Sequence, residues 1–247
     1  MSDFENKVYI NTGGGTGVGR AISLKLAERG AKVVINYRKS KKEAMEVTEK
    51  ITEYGGIALP FKADVAIEKK VREMISYTIK EFGRIDGLVN NASITAHIAM
   101  NDLEAATDEI WDSLYDVNVK GMFHCIKAVV PFMKKQGSGA IVNLGSVAGT
   151  TGIGSSIPYA ATKAAIHNMT RSLAIALSPH IRVNCISPGA IETRWWSGHK
   201  DKMYELAGNL PLQRISSPED IADAVLFQFT QKSVTGQVFT IDNGQTL

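Results

Sequence analysis

Seven short apolar runs, separated by longer stretches of helical period, restrict the fold of this chain more than any other feature. The runs cover residues 8–10, 32–36, 57–61, 87–90, 140–144, 182–186 and 237–241. Several are apolar at successive positions, so both faces of each strand must be covered. Helical stretches fall near 18–29, 40–54, 66–82, 107–135, 156–177 and 218–229. Such alternation specifies βαβ units with right-handed crossovers, and therefore a parallel sheet with helices on both faces. One helix start is well marked: Ser217-Pro218-Glu219-Asp220 combines a capping serine, proline at the first helical position and acids in the first turn. No repeat, linker or break in composition divides the 247 residues, so the expectation is a single α/β domain.

Composition narrows the function. Hydrophobic residues make up 44% and charged residues 21%, which suits a packed core and not a disordered chain. A net charge of +3 from 28 basic and 25 acidic residues is too even to argue for nucleic acid or a membrane surface as partner. Cys125 and Cys185 lie in apolar settings and read as two buried, reduced thiols. The five histidines are scattered, with no metal-ligand spacing, so no metal is expected. The first residues are polar, without the apolar segment of a signal peptide, and no apolar run approaches the roughly 18 residues that span a bilayer. The expected location is cytoplasmic.

Residues 12–19, Thr-Gly-Gly-Gly-Thr-Gly-Val-Gly, follow the first strand and run into a helix. Glycines in such a turn let the backbone approach a phosphate, whose charge suits a helix N-terminus. The pattern is Thr-Gly-x-x-x-Gly-x-Gly; it is neither GxGxxG nor a Walker loop, because no Gly-Lys-Ser/Thr follows. The second strand ends at Asn36, where an NAD site would usually carry an acid for the ribose 2′-hydroxyl, and Arg38 and Lys39 follow. A guanidinium suits a 2′-phosphate, which favours NADP over NAD; the plainer alternative makes Arg38 only a surface cation at the start of a basic helix.

Tyr159 and Lys163, four residues apart, share one helix face. A nearby ammonium favours phenolate and should lower a phenol pKa that starts near ~10. Ser146 lies upstream at a strand end, and Asn118 sits further back in Tyr-Asp-Val-Asn-Val-Lys-Gly. Singly these are an aromatic on a packed helix, a solvated lysine and two ordinary polar positions. Together with the glycine turn they describe proton transfer beside a bound nucleotide.

These residues, with Asp64-Val65, Asn90-Asn91-Ala92, Pro188-Gly189 and Thr193, resemble the short-chain dehydrogenase/reductase family over nearly the whole chain, and most closely its bacterial 3-oxoacyl-acyl-carrier-protein reductase subgroup. The resemblance implies a doubly wound Rossmann domain with seven strands in the order 3-2-1-4-5-6-7, and usually a homotetramer with 107–135, 156–177 and 234–247 at interfaces. It implies that Gly13, Gly15, Thr16, Gly17, Val18 and Gly19 cradle the cofactor. Asp64 and Val65 would contact adenine, Asn91 and Ala92 the ribose, and Ile191 and Thr193 the nicotinamide amide and pyrophosphate. Tyr159 would exchange a proton with the substrate oxygen. Lys163 would favour the phenolate and hold the cofactor ribose, Ser146 would bond the substrate oxygen, and Asn118 would position a water leading from Lys163 to solvent. Three positions depart from the family: Asn11 in place of an apolar strand residue, Ser93 in place of glycine, and Asn243 in place of glycine.

The substrate is less legible. Residues 187–216, with Pro188, Gly189, Trp195, Trp196, Gly198 and Pro211, have the weakest helical period. A lid near 190–212 is expected; the alternative is a surface excursion carrying one or two small helices. Ile153, Ile157, Trp195, Trp196, Met203 and Tyr204 would form an apolar wall for an acyl chain or ring, although the tryptophans could equally pack the lid onto the domain. An acyl-carrier partner would need basic residues such as Lys134 and Lys135, and Ser178-Pro179-His180 lacks the arginine common in that subgroup. A sugar, steroid or other ketone stays open as a small-molecule carbonyl or alcohol substrate. The competing function is a catalytically inactive nucleotide-binding regulator on the same fold.

Overall fold

The computed structural model of the protein describes residues 3–194 and 200–247, so the Trp195-Trp196 pair lies outside the described residues. In chain order the elements are β1 Val8–Asn11, α1 Gly17–Glu28, β2 Lys32–Tyr37, α2 Lys41–Glu53, β3 Ile57–Lys62, α3 Glu68–Phe82, β4 Gly87–Asn90 and α4 Asp108–Tyr115. A π-helical turn, Asp116–Gly121, joins α4 to α5 Met122–Gln136. Then follow β5 Gly139–Leu144, α6 Ala148–Thr151, α7 Ile157–Leu177, β6 Ile181–Pro188, α8 Lys200–Asn209, α9 Pro218–Thr230 and β7 Val238–Ile241.

The seven strands form one parallel sheet in the order β3-β2-β1-β4-β5-β6-β7. Alternate residues of each strand enter different cores, as the pleat requires. Val34, Leu88, Ile141 and Val183 face a core completed by α3, α5 and α7 through Met74, Ile126 and Ile166. Val33, Ile35, Val89, Val142 and Ile186 face the other, completed by α1, α2 and α9 through Ile22, Val47 and Val225. This explains the unbroken apolar runs: each strand needs hydrophobes on both sides. The order reverses between β1 and β4, which opens a crevice at the C-terminal ends of the strands, where ligands of such sheets bind.

Three details go beyond the sequence pattern. The helix expected over 107–135 is interrupted by the π turn, which a search for 3.6-residue periodicity passes over. The aperiodic segment 187–216 carries α8. Its base is pinned where Ile191 bridges to Ser216 and the Glu192 N–H donates to the Ser216 carbonyl at 2.9 Å. The cap at Ser217 forms as the sequence predicts: Ser217 Oγ accepts from the Asp220 N–H, and the Asp220 carboxylate accepts from the Ser217 N–H. No described helix is long and apolar enough to cross a membrane.

Candidate active site

A cleft of about 1220 Å³ runs along the C-terminal strand ends, from the glycine turn to Tyr159. Gly13, Gly15, Thr16, Gly17, Val18, Arg38, Asp64, Val65, Asn91, Ala92, Ser146, Tyr159, Lys163, Ile191 and Thr193 all line it. Gly19 and Asn118 do not. They stand behind the wall, and each does structural work there.

The turn is held by side chains from neighbouring strands. Gly13 adopts φ 63°, and a Cβ on Gly19 would lie 2.2 Å from the Gly13 carbonyl oxygen, so both positions need glycine. Asn11, the first departure from the family pattern, is fully buried; its amide donates to the Gly19 carbonyl at 2.7 Å and to Ser23 Oγ at 2.9 Å, tying β1 to α1. Thr12 Oγ1 accepts from the Asn91 and Ala92 N–H groups, each at 3.0 Å, and the Asn91 amide donates back to the Thr12 carbonyl at 2.8 Å. The Asn91 side chain therefore shapes the turn, and its place in the cleft is at the turn's flank. Thr16 is the N-cap of α1 in extended conformation and its side chain does not cap the helix, which leaves first-turn N–H groups open to an anion.

Asn36 is buried at the end of β2. Its Oδ1 accepts from the Gly13 N–H at 3.3 Å and its amide donates to the Ala63 carbonyl at 3.0 Å. Beyond it, Arg38 Nε is 2.7 Å from Asp64 Oδ2. Asp64 also accepts the Ala66 N–H, so it both forms the turn after β3 and anchors the guanidinium over the cleft.

At the other end lies the polar corner. Lys163 is 2% exposed; its Nζ donates to the Leu144 carbonyl at 3.0 Å and sits 5.5 Å from the centroid of the Tyr159 ring. Burial pulls its pKa down to about 8, against a smaller opposing effect of Cys185. The phenol behaves contrary to the sequence-based expectation: Tyr159 is pushed up to about 12, because burial outweighs the hydrogen bond with Ser146 that acts in the lowering direction. Ser146 Oγ also accepts the Ala148 N–H at 3.2 Å, which fixes its position at the start of α6. The helix carrying both catalytic candidates is started by Ser156, whose Oγ accepts the Tyr159 N–H at 3.3 Å.

Asn118 sits in the π turn, 2% exposed, with all four bonding positions of its amide used. Its Oδ1 accepts from Ser93 Oγ at 3.0 Å and from the Ile94 N–H at 2.9 Å. Its Nδ2 donates to the Ile94 carbonyl at 3.0 Å and to Thr162 Oγ1 at 3.2 Å. Ser93, the second departure, thus adds one more anchor to Asn118. The third, Asn243, takes the left-handed φ of 56° that glycine would otherwise supply, and its amide donates to Ser216 Oγ.

The substrate end differs from the expected wall. Ile153 lines the cleft and is 73% exposed, but Met203 is buried away from it, and neither Ile157 nor Tyr204 lines it. Leu206 of α8, Ile94, Ile98 and Val147 take their place, with His97, Ser155 and Gln245 as polar members. Ser155 stitches the two sides together: its carbonyl accepts the Ile98 N–H at 2.8 Å and its hydroxyl bonds Thr95 Oγ1. A period of 3.6 could not show that α8 turns Met203 inward and Leu206 outward. From the sequence, Arg194 is only the first residue of a candidate pocket segment, 194–210; in the structure it lines the cleft beside Thr193 and reaches Thr16. Its adjacency to Thr193 was the available signal.

Sheet order, crevice and polar corner define an α/β oxidoreductase of the Rossmann type. A family model described as enoyl-(acyl carrier protein) reductase matches residues 13–246. A Staphylococcus epidermidis protein named 3-oxoacyl-acyl-carrier-protein reductase FabG is 38% identical over 243 residues, 97% of this chain and 98% of the relative. A Bacillus subtilis short-chain dehydrogenase/reductase homolog, YusR, is 57% identical over 129 residues, 52% of this chain and 100% of the relative. A crystal structure from Burkholderia xenovorans, assigned to the short-chain dehydrogenases/reductases, superposes with a TM-score of 0.92 at 32% identity, covering 97% of each chain. The chain belongs to the short-chain dehydrogenase/reductase family of enzymes.

Proposed function

We propose that the enzyme is an NADP-dependent reductase, exchanging a hydride between nicotinamide and a carbonyl or secondary-alcohol carbon. The observation that carries this is the convergence of Ser146, Tyr159 and buried Lys163 in the same cleft as the glycine turn. The cradle fits a dinucleotide: Gly13 and Gly19 permit close backbone approach, the start of α1 lacks a side-chain cap, and Arg38 is anchored past β2. A bound nicotinamide cofactor supplies the hydride.

The chain's own groups manage the proton. Tyr159, kept protonated by burial, has a proton to give to a carbonyl oxygen. Ser146 bonds the same oxygen as negative charge develops. Lys163, whose pKa burial lowers to about 8, is poised to restore the lost proton. The Asn118 amide is saturated by Ser93, Ile94 and Thr162, so its side chain has no bonding position left for a water linking Lys163 to solvent. Two hydroxyls meeting at one point suit an oxygen-bearing carbon better than a carbon–carbon double bond. They favour the ketone chemistry named for the full-length relatives over the enoyl chemistry in the family model's description.

Arg38 favours NADP over NAD: Asn36 replaces the ribose acid and is committed to Gly13 and Ala63, while a guanidinium stands beside the adenine end. The apolar substrate end suits a 3-oxoacyl chain, free or carried on an acyl-carrier protein, or another ketone with an apolar substituent. Exposed Phe123 on α5 and Ile175 on α7 support a homotetramer, and two free buried thiols suit the cytoplasm. The deciding experiment is a panel of 3-oxoacyl thioesters, simple ketones and alcohols with NADPH and NADH. Turnover of a ketone with NADPH supports the assignment. Tight NADPH binding without turnover on any member would instead make the protein a nucleotide-binding regulator.

A further inference from the structure

Arg194 stands between the two ends of the cleft, immediately after Thr193 on the segment that leaves β6. It is exposed, and among the described residues it makes no ion pair with a carboxylate. Its one described hydrogen bond runs from Nη2 to Thr16 Oγ1 at 3.3 Å. Thr16 is the N-cap residue of α1, and its hydroxyl, not used on its own helix, accepts from this guanidinium. Thr193 closes on the same spot: a Cβ on Gly17 would lie 3.5 Å from Thr193 Cγ2. The bridge of Ile191 to Ser216 and the bond from the Glu192 N–H to the Ser216 carbonyl hold this short run in place from behind.

We propose that Arg194 is a cofactor-binding residue that places a guanidinium on the pyrophosphate of the dinucleotide. It would complete from the substrate side an anion site that the glycine turn and the start of α1 build from the other. The chemistry is that of a planar, permanently charged donor fork facing a phosphate pair, with backbone N–H groups opposite. Thr16 Oγ1 orients the fork at the rim. The inference rests on the assignment of a nicotinamide dinucleotide to this cleft. It differs from the part given to Arg38, because the pyrophosphate is common to NADP and NAD whereas the 2′-phosphate is not.

Equilibrium titration separates the two. Binding of NADPH and of NADH is followed by cofactor fluorescence in the wild type, Arg194→Ala, Arg194→Gln, Arg194→Lys and Arg38→Ala. Arg194→Ala is expected to weaken both cofactors alike, by roughly tenfold, the lower end for loss of a charged hydrogen bond. Arg194→Gln, which keeps a donor for Thr16 but lacks charge, should match it; Arg194→Lys should recover part of the loss. The dependence of affinity on salt should be shallower in Arg194→Ala than in the wild type. Arg38→Ala should weaken NADPH and spare NADH. Unchanged affinity in Arg194→Ala would overturn the proposal, as would a loss confined to NADPH or full affinity in Arg194→Gln. Thermal melting of the cofactor-free variants at the wild-type temperature establishes that the fold is intact. If the wild type binds neither cofactor, the dinucleotide assignment falls and the role of Arg194 falls with it; wild-type binding with an indifferent Arg194 removes only the latter.

Discussion

At the scale of residues, the polar corner of the cleft is governed by burial before charge. Tyr159 and Lys163 share a helix face, yet Nζ is turned to the Leu144 carbonyl, and the removal of water raises the phenol and lowers the ammonium. A neutral phenol is a proton donor, so Tyr159→Phe should bind cofactor normally and lose turnover by about 10²- to 10⁴-fold; an unchanged rate in a steady-state assay would remove the role. Lys163 yields a prediction about stability. Its pKa is about 8 when folded and 10.5 in its ordinary setting, so between these values the unfolded chain holds the proton that the folded one has lost. Stability therefore rises with pH across that window, and the cost of the buried amine is largest below pH 8. In Lys163→Met this dependence disappears. The stability of the variant minus that of the wild type should fall by on the order of 3 kcal/mol from pH 7 to pH 10.5, read by denaturant unfolding at each pH.

At the scale of elements, side-chain caps and one irregular turn place the site. Ser156 starts α7 and so sets which face carries Tyr159 and Lys163. The π turn swings Asn118 into a pocket made by Ser93, Ile94 and Thr162. α9 packs its Ile221 and Val225 in the same core as α1, the helix that starts at the glycine turn, and it is fixed by the capping box at Ser217 and Asp220. Ser217→Ala should cost about 1 kcal/mol in chemical denaturation, with cofactor affinity little changed. A loss near zero would mean that Arg214, paired with Asp220 at 2.8 Å, holds this helix start unaided.

At the scale of the whole molecule, the cleft is a property of the sheet's order. Segments after β1, β2, β3, β4, β5 and β6 all contribute to it, and they meet only because the winding reverses between β1 and β4. A ligand that touches so many segments binds the folded chain and not the unfolded one. NADPH at about a hundred times its dissociation constant should therefore stabilise the protein by about 2.7 kcal/mol, seen as a raised melting temperature. NADH at the same concentration should give a smaller shift, and an equal shift from both would remove Arg38 as the discriminator.

Much of this was legible from the sequence because it depends on local pattern. Apolar runs report strands covered on both faces, Ser217-Pro218-Glu219-Asp220 reports a helix start, and the spacing of Tyr159 and Lys163 reports a shared face. Asn11, Ser93 and Asn243 are visible in sequence only as exceptions. Their purpose is set by partners far along the chain or by backbone angle: Gly19 and Ser23 for Asn11, Asn118 for Ser93, and a left-handed φ with Ser216 for Asn243. The direction of the Tyr159 shift, the inward turn of Met203 and the reach of Arg194 to Thr16 likewise belong to the tertiary structure. The sequence by itself determined the sheet, its helices and the chemical groups at hand. Only the folded chain decided how dry those groups are and which of them meet, because desolvation and contact depend on distances between residues that the order of the chain does not contain.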